Sequence, residues 1–177
     1  MISILLIGLD NAGKSTLISH AKSLPANGMF EITPTMGFAI EEIAMPSGNK
    51  GIIYDCSGAA RYRNMWDHFI GEIQGVIYVI DSADRARLSI VKKNIEEFFK
   101  HPLLKKKPIV FLANKQDSPD ALRKEDIKRI LRIEKKSLSN PFSVKEAISA
   151  TGMGLNNSLS FIENNLQTKF EYHLKPL

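Results

Sequence analysis

The chain has 177 residues, of which 44% are hydrophobic and 24% charged, and its formal net charge is +5 at pH 7. These values are ordinary for one globular domain and exclude a disordered or low-complexity protein. The single cysteine, Cys56, excludes an intramolecular disulfide, and no apolar run approaches the roughly 20 residues that cross a bilayer.

The positive charge lies mainly on segments with helical spacing, where acids such as Glu96 and Glu125 interrupt it. No aromatic residues alternate with these lysines and arginines, as they do in grooves that bind single-stranded nucleic acid. We therefore expect solvated helix faces, at most a weak attraction to anionic membranes or acidic partners, and no nucleic-acid partner.

Short β-rich runs alternate with segments of helical spacing along the chain. Val76–Ile80 and Ile109–Ala113 are almost entirely apolar, which is typical of strands buried on both faces of a parallel sheet. The turn cluster Pro46–Gly51 joins two neighbouring strands as a hairpin. The predicted strands are Ser3–Gly8, Gly37–Ala44, Gly51–Asp55, Gly75–Asp81, Pro108–Asn114 and Phe142–Ile148, and the predicted helices are Lys14–Ser23, Arg87–Lys100, Lys124–Ile133 and Leu155–Thr168.

This element order predicts a single α/β domain over residues 1–177. Its sheet should have six strands, mostly parallel, with one antiparallel strand from the hairpin and helices on both faces. Ligands of such folds bind beyond the carboxyl ends of the strands. The motifs described next fall at that edge of the predicted sheet, which makes it the expected functional site.

The first motif, GLDNAGKS, runs from Gly8 to Ser15 and matches G-x-x-x-x-G-K-[ST] in full, between an apolar strand and a helical segment. In such a loop backbone N–H groups and the helix N-terminus favour phosphate. Lys14 would reach the β- and γ-phosphates, Ser15 would ligate Mg²⁺, and Thr16 would lie at the α-phosphate. The predicted nucleotide-binding residues of this loop are Gly8, Leu9, Asp10, Asn11, Ala12, Gly13, Lys14, Ser15 and Thr16.

The second motif, Asn114-Lys115-Gln116-Asp117, follows a buried strand and indicates which base is bound. The Asp117 carboxylate can accept two hydrogen bonds from the ring N–H and the exocyclic amine of guanine. Adenine offers no such pair and would leave a desolvated acid unpaired. We expect the stem of Lys115 to lie over the base plane and Asn114 to tie this loop to the phosphate-binding loop.

Two further segments predict contacts with Mg²⁺ and the γ-phosphate. In Asp55-Cys56-Ser57-Gly58, Asp55 would hold Mg²⁺ through a water and the Gly58 N–H would donate to the γ-phosphate. In Pro34-Thr35-Met36-Gly37, Thr35 would ligate Mg²⁺ and meet the γ-phosphate with its backbone N–H. The candidate metal ligands are Ser15, Thr35 and Asp55, and the candidate catalytic residues are Lys14, Thr35 and Gly58.

These four motifs, in this order and spacing, resemble those of the Ras-like GTPases, and Gly8–Lys14, Pro34–Phe38 and Asn114–Asp117 are similar to the Arf and Arf-like family. The stretch Arg61–Trp66 is most similar to the Arf-like branch linked to cilia and the Bardet–Biedl coat complex. The resemblance implies a Ras-like P-loop fold that binds GTP or GDP with Mg²⁺. It also implies an effector or coat-complex partner, an exchange factor, a GTPase-activating protein, and a cytoplasmic, membrane-peripheral location that includes the cilium or its base.

The resemblance also suggests where a partner would bind. Three aromatic residues, Phe38, Tyr54 and Phe69, match a trio that is exposed on the switch face of Arf relatives, and packing in the core is the alternative for them. Trp66 is open to the same two interpretations, packed helix residue or partner anchor. The predicted partner-facing residues are Phe38, Tyr54, Arg61, Tyr62, Arg63, Trp66 and Phe69.

The sequence departs from the family pattern at three places. Ala59 occupies the position of the catalytic glutamine, and a methyl group cannot orient the attacking water. Ile2 follows Met1 and the first predicted strand starts at once, so we expect no amino-terminal anchor, and membrane contact only if such a helix has been removed. The last base-binding loop lacks the family's Cys-Ala-Thr, and counting back from Gly152 assigns its backbone N–H to Ser149, or to Ala150 after a slip of one residue.

Ala59 leaves two functions open. Either the protein hydrolyses GTP slowly and needs a partner, or it is a GTP-dependent binding module with negligible turnover, whether by nature or because the position was altered. A small-molecule P-loop kinase would need an arginine-rich lid, which the sequence does not contain.

Overall fold

Strands and helices alternate in the computed structural model, which describes residues 1–21, 35–134 and 140–166. The strands are β1 (Ile2–Ile7), β2 (Phe38–Ala44), β3 (Lys50–Cys56), β4 (Gly75–Asp81), β5 (Ile109–Asn114) and β6 (Phe142–Glu146). The helices are α1 (Lys14–Ala21), α2 (Trp66–Phe69), α3 (Leu88–Phe98), α4 (Lys124–Leu131) and α5 (Leu155–Asn165). None of the helices in these ranges is long and apolar enough to cross a bilayer.

The six strands form one sheet in the order β2-β3-β1-β4-β5-β6. Only the β2–β3 pair of this sheet is antiparallel, because a short hairpin turn joins the two strands. The other four pairs are parallel. The predicted six-stranded, mostly parallel sheet with one antiparallel strand is therefore confirmed.

Helices cover both faces of the sheet, as predicted, because the central strands are apolar on both sides. Every residue of β5 is buried, and β4 is buried up to its last residue. One face packs against α2, α3 and α4, and the other against α1 and α5. Each fully buried Leu or Ile side chain contributes about 1.5–3 kcal/mol, so these two layers fix the sheet whose carboxyl edge carries the motifs.

Several element ends differ from the predicted ones for local reasons. The last strand stops two residues early, at Glu146, because Ile148 leaves the ladder and forms an antiparallel bridge with Met153. The fourth helix ends at Leu131, since Arg132 adopts a left-handed conformation with φ of 54°. The predicted ends of the first and last helices, Ser23 and Thr168, lie outside the described residues.

The sequence reading missed the short segment that follows β3. A 3-10 helix over Ala60–Met65, called the 3-10 segment below, leads directly into α2. Trp66 at the start of α2 is only 3% exposed and packs edge-on against Tyr78 and Phe98, with ring centroids 6.1 and 5.9 Å away. Its assignment to the partner-facing set is therefore wrong, and the alternative interpretation as a packed residue is correct.

Candidate functional site

The loop between β1 and α1 is shaped by two glycines with positive φ. Gly8 has φ of 143° and Gly13 has φ of 94°, a region that side chains rarely adopt. A Cβ at Gly8 would overlap the carbonyl oxygen of Val79, and one at Gly13 would overlap the side-chain amide of Asn114. Only glycine fits at either position. Because these residues carry no side chain, the loop can lie against β4 and Asn114, and its backbone remains accessible to a ligand.

Lys14, at the start of α1, is held beneath this loop. Its side chain is 7% exposed, and Nζ donates to the carbonyl oxygens of Gly8 at 3.2 Å and Leu9 at 2.9 Å. Burial lowers the pKa of Lys14 from its ordinary value, and the nearby carboxylates of Asp55 and Asp10 act in the opposite direction. A cation is thus fixed at the centre of the loop, where it would meet a phosphate.

A cavity of about 400 Å³ opens beside Lys14 at the carboxyl edge of the sheet. The phosphate-binding loop, the segment before β2 and the 3-10 segment contribute to its wall, so residues far apart in sequence meet here. The lining residues are Asp10, Asn11, Gly13, Lys14, Ser15, Thr16, Thr35, Met36, Ser57, Ala59, Arg61 and Tyr62.

Three oxygen-bearing side chains converge beside this cavity, and two of them, Ser15 and Thr35, line it. Ser15 Oγ donates to Asp55 Oδ2 at 2.8 Å and lies 3.0 Å from Thr35 Oγ1, and Thr35 donates to the same Asp55 oxygen at 3.3 Å. The three predicted metal ligands, from α1, the segment before β2 and the end of β3, are therefore brought together. Pro34 of the same motif lies outside the described residues.

The environment of Asp55 fits a divalent cation. The side chain is 3% exposed, and its second oxygen, Oδ1, is buried with no hydrogen-bond partner among the described residues. Burial raises the pKa of Asp55, while the hydrogen bond from Ser15 and the charge of Lys14 lower it. Hydroxyl and carboxylate oxygens are the ligands that Mg²⁺ takes, and a cation would satisfy the unpartnered oxygen.

The opposite end of the loop is joined to the second motif by Asn114. This residue ends β5 and is 1% exposed. Its Nδ2 donates to the carbonyl oxygen of Ala12 at 2.7 Å, and its Oδ1 accepts from the backbone N–H of Ser149 at 2.9 Å. The predicted link to the phosphate-binding loop is present, and the same amide also fixes the loop that contains Ser149 and Ala150.

The rest of the second motif forms a turn after β5. Lys115 has φ of 63°, and its Nζ pairs with Asp81 Oδ2 at 2.7 Å, a partner at the end of β4 that the sequence reading did not identify. The Gln116 N–H donates to the carbonyl oxygen of Ala147. Asp117 lies at the exposed end of this turn, so its carboxylate is accessible to a ligand.

Gly58 lies directly against the phosphate-binding loop. A Cβ at this position would overlap the backbone of Asp10, so only glycine allows the approach. The Gly58 carbonyl accepts a 2.8 Å hydrogen bond from Arg63 Nε, and the N–H of the preceding Ser57 donates to the carbonyl oxygen of Gly37 at 2.8 Å. These contacts hold the end of β3 between the loop and the segment before β2.

Two arginines that the sequence reading did not connect with the loop enclose Asp10. Arg87 Nη1 lies 3.1 Å from Asp10 Oδ2, and Arg63 Nη2 lies 3.6 Å from Asp10 Oδ1. Asp84 pairs with Arg87, and the hydrogen bond between them lowers the pKa of Asp84. No motif in the sequence links Asp10 with these arginines, so the network is seen only in the structure.

The predicted partner-facing residues divide into different environments. The aromatic trio is assembled, since Phe69 lies 4.9 Å from both Phe38 and Tyr54 between ring centroids, and Phe38 is 42% exposed. Arg61 and Tyr62 line the cavity, and Arg63 turns inward to Gly58 and Asp10. The exposed apolar surface around the trio is formed by Met36, Phe38 and Ile40.

Residues 1–166 match the model of the ADP-ribosylation factor (Arf) family. The chain belongs to the Arf family. It is 34% identical over 169 residues to ADP-ribosylation factor-like protein 6 of Danio rerio, an alignment that covers 94% of this chain and 89% of the relative. It is 36% identical over 155 residues to ADP-ribosylation factor-like protein 14 of Mus musculus, covering 87% of this chain and 79% of the relative.

The fold of this Arf-family protein is also found in a solved relative. A structure of the Arl6 BBS3 small GTPase from Trypanosoma brucei with bound nucleotide analogue GppNp matches with a TM-score of 0.84 and 28% identity. The match covers 93% of this chain and 96% of that one. The resemblance inferred from the motifs is therefore confirmed: the chain is an Arf-family small GTPase with the Ras-like fold, a GTP-binding switch.

Proposed function

We propose that this Arf-family protein is a Mg²⁺-dependent switch that binds GTP or GDP and recruits an effector or coat complex in its GTP form. The observation that carries the proposal is the convergence of Ser15, Thr35 and Asp55 beside Lys14. Thr35 stands three residues before Phe38, which is exposed. The segment that would contact the γ-phosphate therefore continues directly into the aromatic face formed by Phe38, Tyr54 and Phe69, called the aromatic face below.

The phosphates would be held by the loop and by Lys14. On nucleotide binding Lys14 Nζ would exchange the carbonyls of Gly8 and Leu9 for β- and γ-phosphate oxygens, which are stronger, charged acceptors. Ser15, Thr35 and Asp55 would hold Mg²⁺, the cation that neutralises charge on the phosphates when bound. The Gly58 N–H would donate to the γ-phosphate, since its position against the loop leaves no room for a side chain between them.

The base would be read at the other end of the site. Asp117 would accept from guanine and the stem of Lys115 would lie over the base plane, with Nζ anchored on Asp81. The Ser149 N–H already donates to Asn114, which favours the N–H of Ala150 as the donor to the guanine carbonyl. Of the two assignments that the sequence left open for this loop, the one-residue slip therefore has the better support.

Switching would follow from the loss of one phosphate. Thr35 is joined to the site through its side-chain contacts with Ser15 and Asp55 and, when GTP is bound, through Mg²⁺ and the γ-phosphate. Removal of the γ-phosphate would weaken that attachment and release the segment that leads to Phe38. An effector that binds the aromatic face would then distinguish the GTP form from the GDP form.

Hydrolysis depends on how the attacking water is oriented, and Ala59 lines the cavity where that water would stand. Lys14, the loop backbone and Thr35 would stabilise the developing charge, but no side chain at position 59 orients the water. Slow hydrolysis that needs a partner is one candidate. A binding module that remains in its GTP form is the second, and the Ala59 methyl group favours it.

The relatives support a role in membrane or ciliary traffic. One relative is ADP-ribosylation factor-like protein 6, and the solved structure is described as Arl6 BBS3 with bound GppNp. From this likeness we propose that the chain acts at a membrane or the ciliary base, with an exchange factor and a GTPase-activating protein as regulators. Its basic helix faces are compatible with a weak attraction to anionic membranes.

The test is to identify the nucleotide that co-purifies with the protein by mass and to measure its retention with and without Mg²⁺. We expect GDP or GTP in stoichiometric amount, and faster release of GTP after chelation. A Lys14→Ala variant should purify without nucleotide. An adenine nucleotide, or stoichiometric nucleotide on the Lys14→Ala variant, would contradict the proposal.

A further inference from the structure

Two arginines of the 3-10 segment, only two positions apart, lie in different environments. The Arg63 side chain is 22% exposed and is held by the Gly58 carbonyl at 2.8 Å and by Asp10 at 3.6 Å. Arg61 is exposed at the wall of the 400 Å³ cavity, and no carboxylate of the described residues lies within ion-pair distance of it. Arg63 therefore has a structural partner, whereas the donors of Arg61 remain free to meet a ligand.

Arg61 is oriented by its neighbour in the chain. Its guanidinium carbon lies 4.7 Å from the ring centroid of Tyr62, and both side chains line the cavity. Stacking on an aromatic face uses the flat surface of a guanidinium and leaves the N–H donors at its edge available. Tyr62 thus limits the freedom of Arg61 without satisfying its hydrogen-bonding groups.

The charges around the cavity favour an anion opposite Arg61. Asp10 is the acid of the phosphate-binding loop, and Arg87 and Arg63 already pair with it. Asp55, the other acid of the site, interacts with the charge of Lys14 and accepts from Ser15 and Thr35. Lys14 lies beneath the loop, and Ala59, which also lines the cavity, contributes only a methyl group to the wall. Arg61 is therefore a second cation at the side of the cavity from which the glutamine is missing.

We propose that Arg61 is a specificity-determining residue that donates to the terminal phosphate of GTP and so favours GTP over GDP. The inference rests on the proposed function, since it assumes that the cavity receives a guanine nucleotide. GDP lacks the phosphate group that Arg61 would meet, so its affinity should depend little on this side chain. Arg61 therefore acts within this chain as a sensor of the third phosphate, in addition to any contact with a partner.

The experiment measures dissociation constants for GppNp, which is not hydrolysed, and for GDP, both with excess Mg²⁺. Arg61→Ala should weaken GppNp binding by about fivefold, the upper range for a charge contact at an exposed site, and change GDP binding less than about twofold. Arg61→Lys should retain part of the preference, because it keeps the charge and loses the planar stack. Tyr62→Leu should weaken GppNp binding in the same direction and by less.

Arg123→Ala is the matched control. Arg123 is an exposed arginine outside the cavity, with a 3.9 Å ion pair to Glu146, so its replacement removes the same charge without touching the site. Unchanged affinities for both nucleotides are expected from this variant. A similar loss of GppNp binding in Arg123→Ala would overturn the inference, because the effect would then belong to the net charge.

The binding measurements distinguish a wrong role for Arg61 from a wrong proposed function. If the original protein binds neither nucleotide, both are overturned. If it binds both, and Arg61→Ala leaves the ratio of the two constants unchanged, only the role of Arg61 is overturned. That second result would restrict Arg61 to partner contact, the role that the sequence resemblance implies.

Discussion

The two ends of the nucleotide site are held together in different ways. At the base end Asn114 is buried and makes direct hydrogen bonds to Ala12 and Ser149, both of which are backbone groups. At the phosphate end Ser15 and Thr35 both donate to one carboxylate oxygen of Asp55, and its other oxygen has no hydrogen-bond partner among the described residues. The Asn114 amide is satisfied without a ligand, although Ser149 Oγ beside it is buried with no hydrogen-bond partner among the described residues. The phosphate end differs in that its unpartnered atom is a carboxylate oxygen, which a cation would satisfy.

This difference suits the two ends to two tasks, recognition of the guanine base and response to the γ-phosphate. A site that must read guanine in both nucleotide states benefits from a base end whose loops are joined by the protein's own hydrogen bonds. A site that must change shape when one phosphate leaves needs contacts that depend on the ligand. The four substitutions below test this division, from the largest expected effect to the smallest.

Asp117→Asn should shift preference from GTP towards XTP by about a thousandfold, because an amide can donate to the 2-oxo group of xanthine where the carboxylate accepted from guanine. Competition binding with the two nucleotides measures the shift. Asp120→Asn, an exposed acid three residues on, is the control and should leave the preference unchanged. An unaltered preference for GTP in the first variant would remove Asp117 from the base-reading role.

Asn114→Ala should weaken GTP and GDP binding equally, by about a hundredfold, since two buried hydrogen bonds to the loops are lost together. Equilibrium titration with both nucleotides tests this, and Asn157→Ala at an exposed position of α5 serves as control. A loss confined to GTP would show that the base end takes part in switching, contrary to the comparison.

Ser15→Asn should weaken GTP binding about thirtyfold more than GDP binding, because the larger amide displaces a ligand of the Mg²⁺ that GTP needs more. The ratio of the two dissociation constants is the measurement. Chelating Mg²⁺ from the original protein should produce a similar change in the ratio. If Ser15→Asn still binds GTP tightly, and this binding still depends on Mg²⁺, Ser15 is not a ligand of the Mg²⁺.

Ala59→Gln should raise the rate of GTP hydrolysis by about tenfold without changing GTP affinity, since it restores only the group that orients water. Single-turnover phosphate release from preloaded protein, run beside a GTP dissociation assay, measures both quantities. Ala60→Gln at the neighbouring exposed position should leave hydrolysis unchanged. Equal rates for Ala59→Gln and the original protein would show that position 59 does not limit hydrolysis, and the 3-10 segment that follows it would then be responsible.

The parts of the molecule that sequence reasoning predicted correctly are those set by local patterns. The apolar runs of β4 and β5 identify buried parallel strands, because few other elements are apolar on every face. The phosphate-binding loop and Asn114 follow strand ends, so the fold itself brings them to one edge. The meeting of Ser15, Thr35 and Asp55 was predicted for the same reason.

What the sequence did not reveal depends on packing between distant segments. The burial of Trp66 follows from its contacts with Tyr78 and Phe98, which no spacing rule connects. The enclosure of Asp10 by Arg63 and Arg87 joins three separate segments. In both cases the outcome depends on how α2 and α3 lie against the sheet, which a one-dimensional pattern does not specify.

The burial of Trp66 gives the protein an optical reporter. It is the only tryptophan in the 177 residues, so intrinsic emission excited at the indole band comes from one place. The indole N–H donates to the carbonyl oxygen of Ser57 at 3.1 Å, one residue from the glycine that would meet the γ-phosphate. Any rearrangement of the 3-10 segment during nucleotide exchange would therefore alter the polarity around this fluorophore and appear as a label-free signal in real time.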